Sequence, residues 1–323
     1  MAKTKTIGVI TTGGDAPGMN AAIRAVTRVA HWKGLTVVGF ERGWEGLIND
    51  NFRQMTPRSV GGIIQLGGTI LRTARCPEFR TSEGQAKAAK TLNVHHVDGL
   101  VVIGGDGSFK GALELSKICG TRMIGIPATI DNDVYGTDET IGFDTAVNTA
   151  VMEIDKIRDT AISHERIFIV EVMGRERGFL ASTVGLTVGA EIILVPECLC
   201  NSDEVVKTLR ENMRKGKRAG IIVAAEGCGK VSEVAKTIEE QTKSEVRLTI
   251  LGYVQRGGSP TARSRLLASL FAEKAVELLC ENQGNRVVGL ENGKIASISL
   301  EESCRKSKPI DTSLLRVNEM LSI

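Results

Sequence analysis

Short runs of apolar and small residues recur along the chain, and most run into glycine-rich or polar punctuation. Residues 7–10 lead into Gly13-Gly14-Asp15, residues 37–40 into Arg42-Gly43, and residues 100–103 into Gly104-Gly105-Asp106-Gly107. Residues 124–126 stop at Pro127, 167–170 lead into Met173-Gly174-Arg175, 192–195 stop at Pro196, and 221–223 lead into Glu226-Gly227. Continuous rather than alternating apolar positions predict parallel strands buried on both faces. Between them, apolar residues fall at helical spacing over 19–32, 109–118, 144–157, 202–213, 231–241 and 263–279. Strand alternating with helix predicts a doubly wound α/β fold, whose ligands bind beyond the carboxyl ends of the strands. The glycine-rich loops lie at those ends.

Composition narrows the class. With 323 residues, 42% of them hydrophobic and 24% charged, the chain is an ordinary globular one, long enough for one large domain or two. A net charge of +3 is too small for an electrostatic nucleic-acid binder. No apolar run approaches the roughly 18 residues of a membrane span. The opening Met1-Ala2-Lys3-Thr4-Lys5-Thr6 has no apolar core of a signal peptide, so a cytoplasmic protein is expected. The seven cysteines are scattered. A lone Cys198-x-Cys200 is a weak metal signal, and reduced thiols packed as small hydrophobes are expected. The four histidines form no H-x-x-x-H pair, so no catalytic zinc is expected.

Four motifs carry candidate chemistry. Thr11-Thr12-Gly13-Gly14-Asp15-Ala16-Pro17-Gly18-Met19-Asn20 joins a strand to a helix, where glycines admit an anion close to backbone N–H groups. A plain tight turn would use the same residues. Gly104-Gly105-Asp106-Gly107-Ser108, with Gly111 farther on, fits a polyphosphate cradle in which Asp106 holds magnesium. The P-loop and protein-kinase signatures are absent, and Gly105-x-Gly107-x-x-x-Gly111 is only a loose dinucleotide fingerprint. Pro127-Ala128-Thr129-Ile130-Asp131-Asn132-Asp133 places two carboxylates two residues apart after a strand, one to take a proton and one to orient metal or base; an Asx-rich turn is the bland alternative. Arg166, Met173-Gly174-Arg175, Glu226-Gly227, Arg247 and residues 251–260, including Arg256, supply cations suited to a phosphorylated substrate.

In order, G-G-D-A-P-G-M-N, A-R-C-P-E-F, G-G-D-G-S, T-I-D-N-D, T-I-G-F-D-T-A, V-M-G-R and Q-R-G-G-S-P resemble the bacterial ATP-dependent 6-phosphofructokinases, from Ile7 to about Asn292. The resemblance implies two Rossmann-like α/β/α lobes with mostly parallel sheets. Residues 1–140 with about 254–304 would form the ATP and magnesium lobe, and about 141–253 with 305–323 the sugar-phosphate lobe. It implies transfer of the ATP γ-phosphoryl group to the 1-hydroxyl of fructose 6-phosphate in glycolysis. Gly14, Arg75, Cys76, Asp106, Gly107, Ser108 and Gly111 match the ATP and Mg²⁺ positions, with Asp106 as the metal residue. Asp131 matches the base, with Thr129 and Asp133 beside it and Arg75 and Arg175 on the moving phosphoryl group. Met173, Gly174, Arg175, Glu226, Tyr253 and Arg256 match sugar-phosphate contacts. Arg166 and Arg247 match residues contributed across a subunit interface, which implies a homotetramer.

Departures from the family pattern sharpen the expectation. Pyrophosphate-using relatives tend to carry Asp at Gly107 and Lys at Ala128, so both positions favour ATP. Tyr253 replaces a histidine on the 6-phosphate, and a phenol cannot become a cation, so binding weaker by about tenfold is expected. Arg24, Arg28, Arg158, Glu191, Lys217 and Arg218 match an effector pocket that takes ADP or phosphoenolpyruvate. The usual Arg, Asp and His of that pocket fall at Pro57, Gly62 and Ala219, so weak or absent ADP activation is expected. The alternatives are a pyrophosphate-dependent phosphofructokinase, or a non-catalytic sensor of sugar phosphate or nucleotide. Asp106, Asp131 and Arg175 argue against the sensor.

Overall fold

A computed structural model describes residues 4–198 and 201–322. Cys200, one half of the Cys198-x-Cys200 pair, lies outside the described residues. The strands are β1 (Thr6–Thr11), β2 (Thr36–Phe40), β3 (Phe52–Met55), β4 (Gly99–Gly104), β5 (Arg122–Thr129), β6 (Ile141–Gly142), β7 (Ile167–Val172), β8 (Ile192–Leu194), β9 (Gly220–Ala225), β10 (Val246–Ile250), β11 (Arg286–Glu291) and β12 (Lys294–Ser299). The α-helices are α1 (Met19–Trp32), α2 (Trp44–Ile48), α3 (Ser82–Val94), α4 (Asp106–Ser116), α5 (Phe143–His164), α6 (Phe179–Thr187), α7 (Ser202–Arg214), α8 (Val231–Thr242), α9 (Ala262–Cys280), α10 (Leu300–Arg305) and α11 (Ser313–Leu321). No helix among the described residues is long and apolar enough to cross a membrane.

The chain divides into two compact units, Met1–Thr145 with Arg256–Lys308, and Ala146–Gln255 with Pro309–Ile323. The first holds an eight-stranded sheet in the order β12-β11-β5-β4-β1-β2-β3, with β6 also paired to β5. Its centre is parallel, and antiparallel partners close both edges: β12 on β11 and β3 on β2. Every residue of β4 is buried, as a central strand covered on both faces requires. Its register sets Thr11 beside Ile103 and Gly104 beside Pro127, so the loops leaving β1, β4 and β5 emerge at one end of the sheet. One core layer gathers Ile10, Phe40, Leu100, Val102, Phe109 and Leu115. Each such side chain stabilises the fold by about 1.5–3 kcal/mol.

The second unit holds a four-stranded, all-parallel sheet in the order β10-β7-β9-β8. Its core layer is Ile167, Ile169, Leu194, Val206, Leu209 and Ile222. Asn201 caps α7 by accepting from the Asp203 N–H, as in the first unit Thr261 caps α9 by accepting from the Ser264 N–H.

The apolar runs all become strands, but several elements escaped the pattern. Edge strands β3 (Phe-Arg-Gln-Met) and β10 (Val-Arg-Leu-Thr-Ile) lack a continuous apolar run, and each buries only one residue fully. Helix α3 has few large apolar residues, only Leu92 and Val94, which gives a weak stripe, and α6 is mostly apolar or small, so it has no periodicity to detect. Helix α5 runs on to His164 rather than ending at Ile157, continuing through the buried Ala161. Helix α4 begins at Asp106 rather than Phe109, which has consequences for the site.

Candidate active site

In the first unit, Thr12 donates from its N–H to the Ile103 carbonyl at 3.1 Å and ties the β1 loop to β4. Gly13 (φ 86°) and Gly18 (φ 111°) take backbone conformations open to glycine. Thr73 donates to the Gly13 carbonyl at 2.7 Å. A Cβ on Gly14 would lie 2.7 Å from Arg256 Nη1, so these two family-matched residues are neighbours. Helix α1 starts only at Met19. The buried Asn20 donates to the carbonyls of Leu66 and Gly67 and accepts from the Ile70 N–H at 2.7 Å. Sequence reasoning quoted Asn20 within a motif but missed this anchoring role, which needs partners about fifty residues away.

The β4 loop leads at once into α4, so Asp106, Gly107 and Ser108 form its first turn. Free N–H groups and the positive end of the helix dipole therefore face whatever lies beyond β4. A Cβ on Gly104 would meet the Thr12 carbonyl oxygen at 2.5 Å and press on Ser108. The Ser108 hydroxyl donates to that carbonyl at 3.0 Å. Gly107 has open space around it. Asp106 pairs with Lys110 one turn on at 2.7 Å, a bond that raises the ammonium's pKa. Gly111 is different: a Cβ there would come within 3.2 Å of the Trp44 and Phe79 rings, which stack with centroids 4.2 Å apart. Its smallness serves that aromatic packing. Arg75 is exposed, and Cys76 is half-buried against the core. The thiol of Cys304, near Asp106, is pushed up to about 11, first by burial and then by that carboxylate.

The β5 loop starts beside the β4 loop, with Gly105 against Thr129, and goes on to Asp131 and Asp133. Asp131 is 5% exposed, and its N–H donates to the Thr129 hydroxyl at 3.3 Å. Asn132 between the carboxylates takes a left-handed backbone (φ 54°), which Asn tolerates. Its side chain spans the loop, accepting from the Thr140 N–H at 3.0 Å and donating to the Asp138 carbonyl at 3.2 Å.

In the second unit, Met173, Gly174 (φ 138°) and Arg175 (φ 54°) follow β7, and Glu226 follows β9 at the same sheet end. Glu226 Oε1 accepts from the N–H groups of Gly174 at 3.2 Å and Arg175 at 2.6 Å, so the carboxylate shapes the arginine's loop. Burial, then the Glu226 charge, raises the Glu171 carboxyl pKa above its usual range. Tyr253 is 78% exposed, in the turn just after β10. Arg166 and Arg247 lie at the other end of the same strands, where both pair with Glu245. Within one chain the structure therefore does not bring them to Met173–Arg175. Glu191, Lys217 and Arg218 share a small pocket at that opposite end. Glu191 accepts from the Ile221 N–H at 2.6 Å, Lys217 donates to the Ser322 carbonyl at 2.6 Å, and Arg218 pairs with Glu165 at 3.2 Å. Arg158 donates to the Val188 and Gly189 carbonyls. Arg24 and Arg28 belong to α1 of the first unit, where Arg28 reaches the Pro57 carbonyl at 3.5 Å.

A doubly wound sheet with two glycine loops and a carboxylate loop at one strand end defines an α/β protein suited to phosphate-bearing ligands. A family model described as Phosphofructokinase matches residues 6–279. A protein from Clostridium botulinum (strain Hall) named ATP-dependent 6-phosphofructokinase is 53% identical over 98% of this chain and 99% of its own. The solved phosphofructokinase of Saccharomyces cerevisiae superposes with a TM-score of 0.86 at 36% identity; 93% of this chain is covered, but only 45% of that longer chain. A pyrophosphate-dependent phosphofructokinase from Marinobacter aquaeolei shares the fold at 20% identity, with a TM-score of 0.86 over 98% of this chain and 88% of its own. The chain belongs to the phosphofructokinase family.

Proposed function

We propose that the chain is an ATP-dependent 6-phosphofructokinase, which transfers the ATP γ-phosphoryl group to the 1-hydroxyl of fructose 6-phosphate to give fructose 1,6-bisphosphate and ADP. The observation that carries this reading is the β4–β5 register, which sets Gly105 against Thr129, two residues before the nearly buried Asp131, at the sheet end where α4 begins. The identity to relatives bearing that name supports it.

In this reading the first unit holds ATP at Gly14, Arg75, Cys76, Gly107 and Ser108, and the second holds the sugar phosphate at Met173, Gly174, Arg175, Glu226 and Tyr253. Arg256, against Gly14, serves the sugar phosphate from the first unit. The helix dipole and N–H groups of α4 take phosphate oxygens. The open space at Gly107 leaves room for a nucleotide, and the full burial of Ala128 leaves none for an added lysine. The Asp131 carboxylate accepts the proton of the 1-hydroxyl as its oxygen attacks the γ-phosphorus and the ADP oxygen leaves. Thr129 and Asp133 hold the loop's hydroxyl and second carboxylate beside it, and Arg75 and Arg175 neutralise charge on the moving group.

Asp106 would hold magnesium. One carboxylate at a helix start, beside a phosphate cradle, fits an ion that takes most of its ligands from phosphate and water. No cluster of three His, Cys, Asp or Glu among the described residues offers a protein cage instead. When bound, magnesium supplies neutralisation of phosphate charge. Arg166 and Arg247, at the far strand end, serve a neighbouring subunit's site in a homotetramer, and the protein works in the cytoplasm. The effector set Arg24, Arg28, Arg158, Glu191, Lys217 and Arg218 responds weakly or not at all to ADP, and phosphoenolpyruvate is its other candidate ligand.

A coupled assay with fructose 6-phosphate and Mg²⁺, run with ATP and separately with pyrophosphate, tests the reading. Turnover with ATP alone is expected. Turnover with pyrophosphate alone would replace it by the pyrophosphate-dependent reading, and none with either by a binding role.

A further inference from the structure

Residues 300–308 carry none of the motifs quoted above, yet they grip the Asp131 loop. Helix α10 is anchored on the core through the buried Leu300, whose N–H donates to the Asn285 carbonyl at 2.8 Å. From that base the segment reaches residues 131–140 at three points. The buried Ser303 hydroxyl donates to the Tyr135 carbonyl at 2.9 Å. The Lys306 ammonium lies 3.4 Å from the Tyr135 hydroxyl and 5.2 Å from the centre of its ring. The Lys308 ammonium donates to the Asp138 carbonyl at 2.9 Å.

That carbonyl is also the acceptor for the Asn132 side-chain amide. A carbonyl oxygen has two lone pairs, so both donors are accommodated. Asn132 is the residue between Asp131 and Asp133, and its own backbone sits in a conformation that costs energy without side-chain support. The path from Lys308 to the two carboxylates is therefore two hydrogen bonds and one side chain. Residues 137–140 are held by other partners as well: Asp138 donates from its N–H to the Leu290 carbonyl at 2.7 Å and accepts from the Asn292 N–H at 2.8 Å. The Thr140 hydroxyl donates to the Thr129 carbonyl at 2.6 Å.

The charge of Lys308 is held among acids. Burial lowers its pKa to about 8, against the pull of Asp138, Asp133 and Glu139. Glu139 is shared with Arg263 of α9, at 2.8 Å. An ammonium is partly desolvated here to meet a carbonyl, an expensive use of a lysine unless the contact fixes something.

We propose that Lys308 is a positioning residue for phosphoryl transfer, fixing the Asp138 carbonyl to which Asn132 is tied and so aiming Asp131 and Asp133. The proposal rests on the kinase reading with Asp131 as base. Its test is a series on the full chain, Lys308→Arg, Lys308→Gln and Lys308→Met, assayed with ATP, fructose 6-phosphate and Mg²⁺ beside thermal melting. Misaimed carboxylates cost the chemical step and spare nucleotide binding, so Lys308→Met should lower kcat roughly tenfold with KM for ATP within about twofold. Lys308→Arg, which keeps a charged donor, should recover most of the loss, and Lys308→Gln should fall between. In the folded Met variant, hydrogen exchange at the Thr140 amide should accelerate, because its acceptor is Asn132.

Equal kcat across the folded members of the series overturns the proposal, and so does a loss shared equally by kcat and stability that Arg does not rescue. Should Lys308→Met fail to fold, the Arg and Gln variants still decide by the same ranking. A wild-type chain that forms no fructose 1,6-bisphosphate overturns the kinase reading and this proposal with it. An active wild type with unaffected variants overturns the proposal alone.

Discussion

Two loops leave adjacent parallel strands side by side, and they are held in opposite ways. After β4 the chain turns straight into α4, and its support is mainly local. Ser108 and Phe109 donate to the Gly105 carbonyl at 2.9 and 3.2 Å, and Asp106 meets Lys110 one turn on. One tie, from Ser108 to Thr12, comes from afar. After β5 the chain wanders through residues 130–140, and much of its support is distant. Leu290 and Asn292 bond to residues 137–138, while Lys308 bonds across 170 positions. A loop that needs only free N–H groups and space can be made by glycines and a helix start. A loop proposed to aim two carboxylates needs its backbone fixed by several partners, and those are brought by the whole fold.

The largest expected effect removes the aimed group itself. Asp131→Ser should lower kcat by about a thousandfold, within the usual range for loss of a general base, while fructose 6-phosphate still binds. Steady-state kinetics with a direct binding measurement checks it. Near-normal turnover would remove Asp131 as the base and, with it, the reason the β5 loop is fixed so firmly.

Next comes the local loop. Gly104→Ala forces a methyl group against the Thr12 carbonyl and Ser108, so it should destabilise by about 1–3 kcal/mol in denaturant unfolding. Gly107→Asp, two residues beyond Gly105 in open space, should leave stability unchanged yet weaken ATP about tenfold, by placing a like charge beside the phosphates. If both variants lost stability alike, the division between a tight and an open glycine in one loop would not hold. The distant loop should answer differently. Asn132→Gly tolerates the backbone conformation but loses two side-chain hydrogen bonds, and kcat should fall about tenfold. A loss confined to stability would make Asn132 a fold residue only.

The same contrast explains what the sequence disclosed. Strands β1, β2, β4, β5, β7, β8 and β9, the glycine loops and the T-I-D-N-D carboxylates are written in consecutive residues, so periodicity and motif sufficed for them. Asp106 was recognised but its place in the first turn of α4 was not, because Gly105 and Gly107 read as loop. Gly111 reads as part of a phosphate cradle, and the structure adds what spacing could not: a Cβ there would press on Trp44 and Phe79, from segments far away. The parting of Arg166 and Arg247 from Met173–Arg175 depends on which strand end each occupies, and the grip of Lys308 depends on a fold that returns the chain to residue 138. Neither leaves a mark on local spacing.

The smallest expected effect carries the comparison into the second unit, where Glu226 fixes the Gly174–Arg175 backbone across roughly fifty positions. That anchor is a charge, and Glu171 stands beside it with its pKa raised above the usual 4.5 by burial and by Glu226. A carboxyl with a raised folded-state pKa binds its proton more tightly when folded. Its destabilising influence is therefore absent below the unfolded value, grows as pH climbs from 4.5 through the folded value, and is constant above that. Glu171→Gln removes this cost and should raise the melting temperature by about one degree at pH 7, with little change near pH 4. Solvent screens much of the interaction, which keeps the gain small. Melting curves at the two pH values decide it. If the gain is equal at both, the half-buried charge of Glu171 is not what strains this anchor.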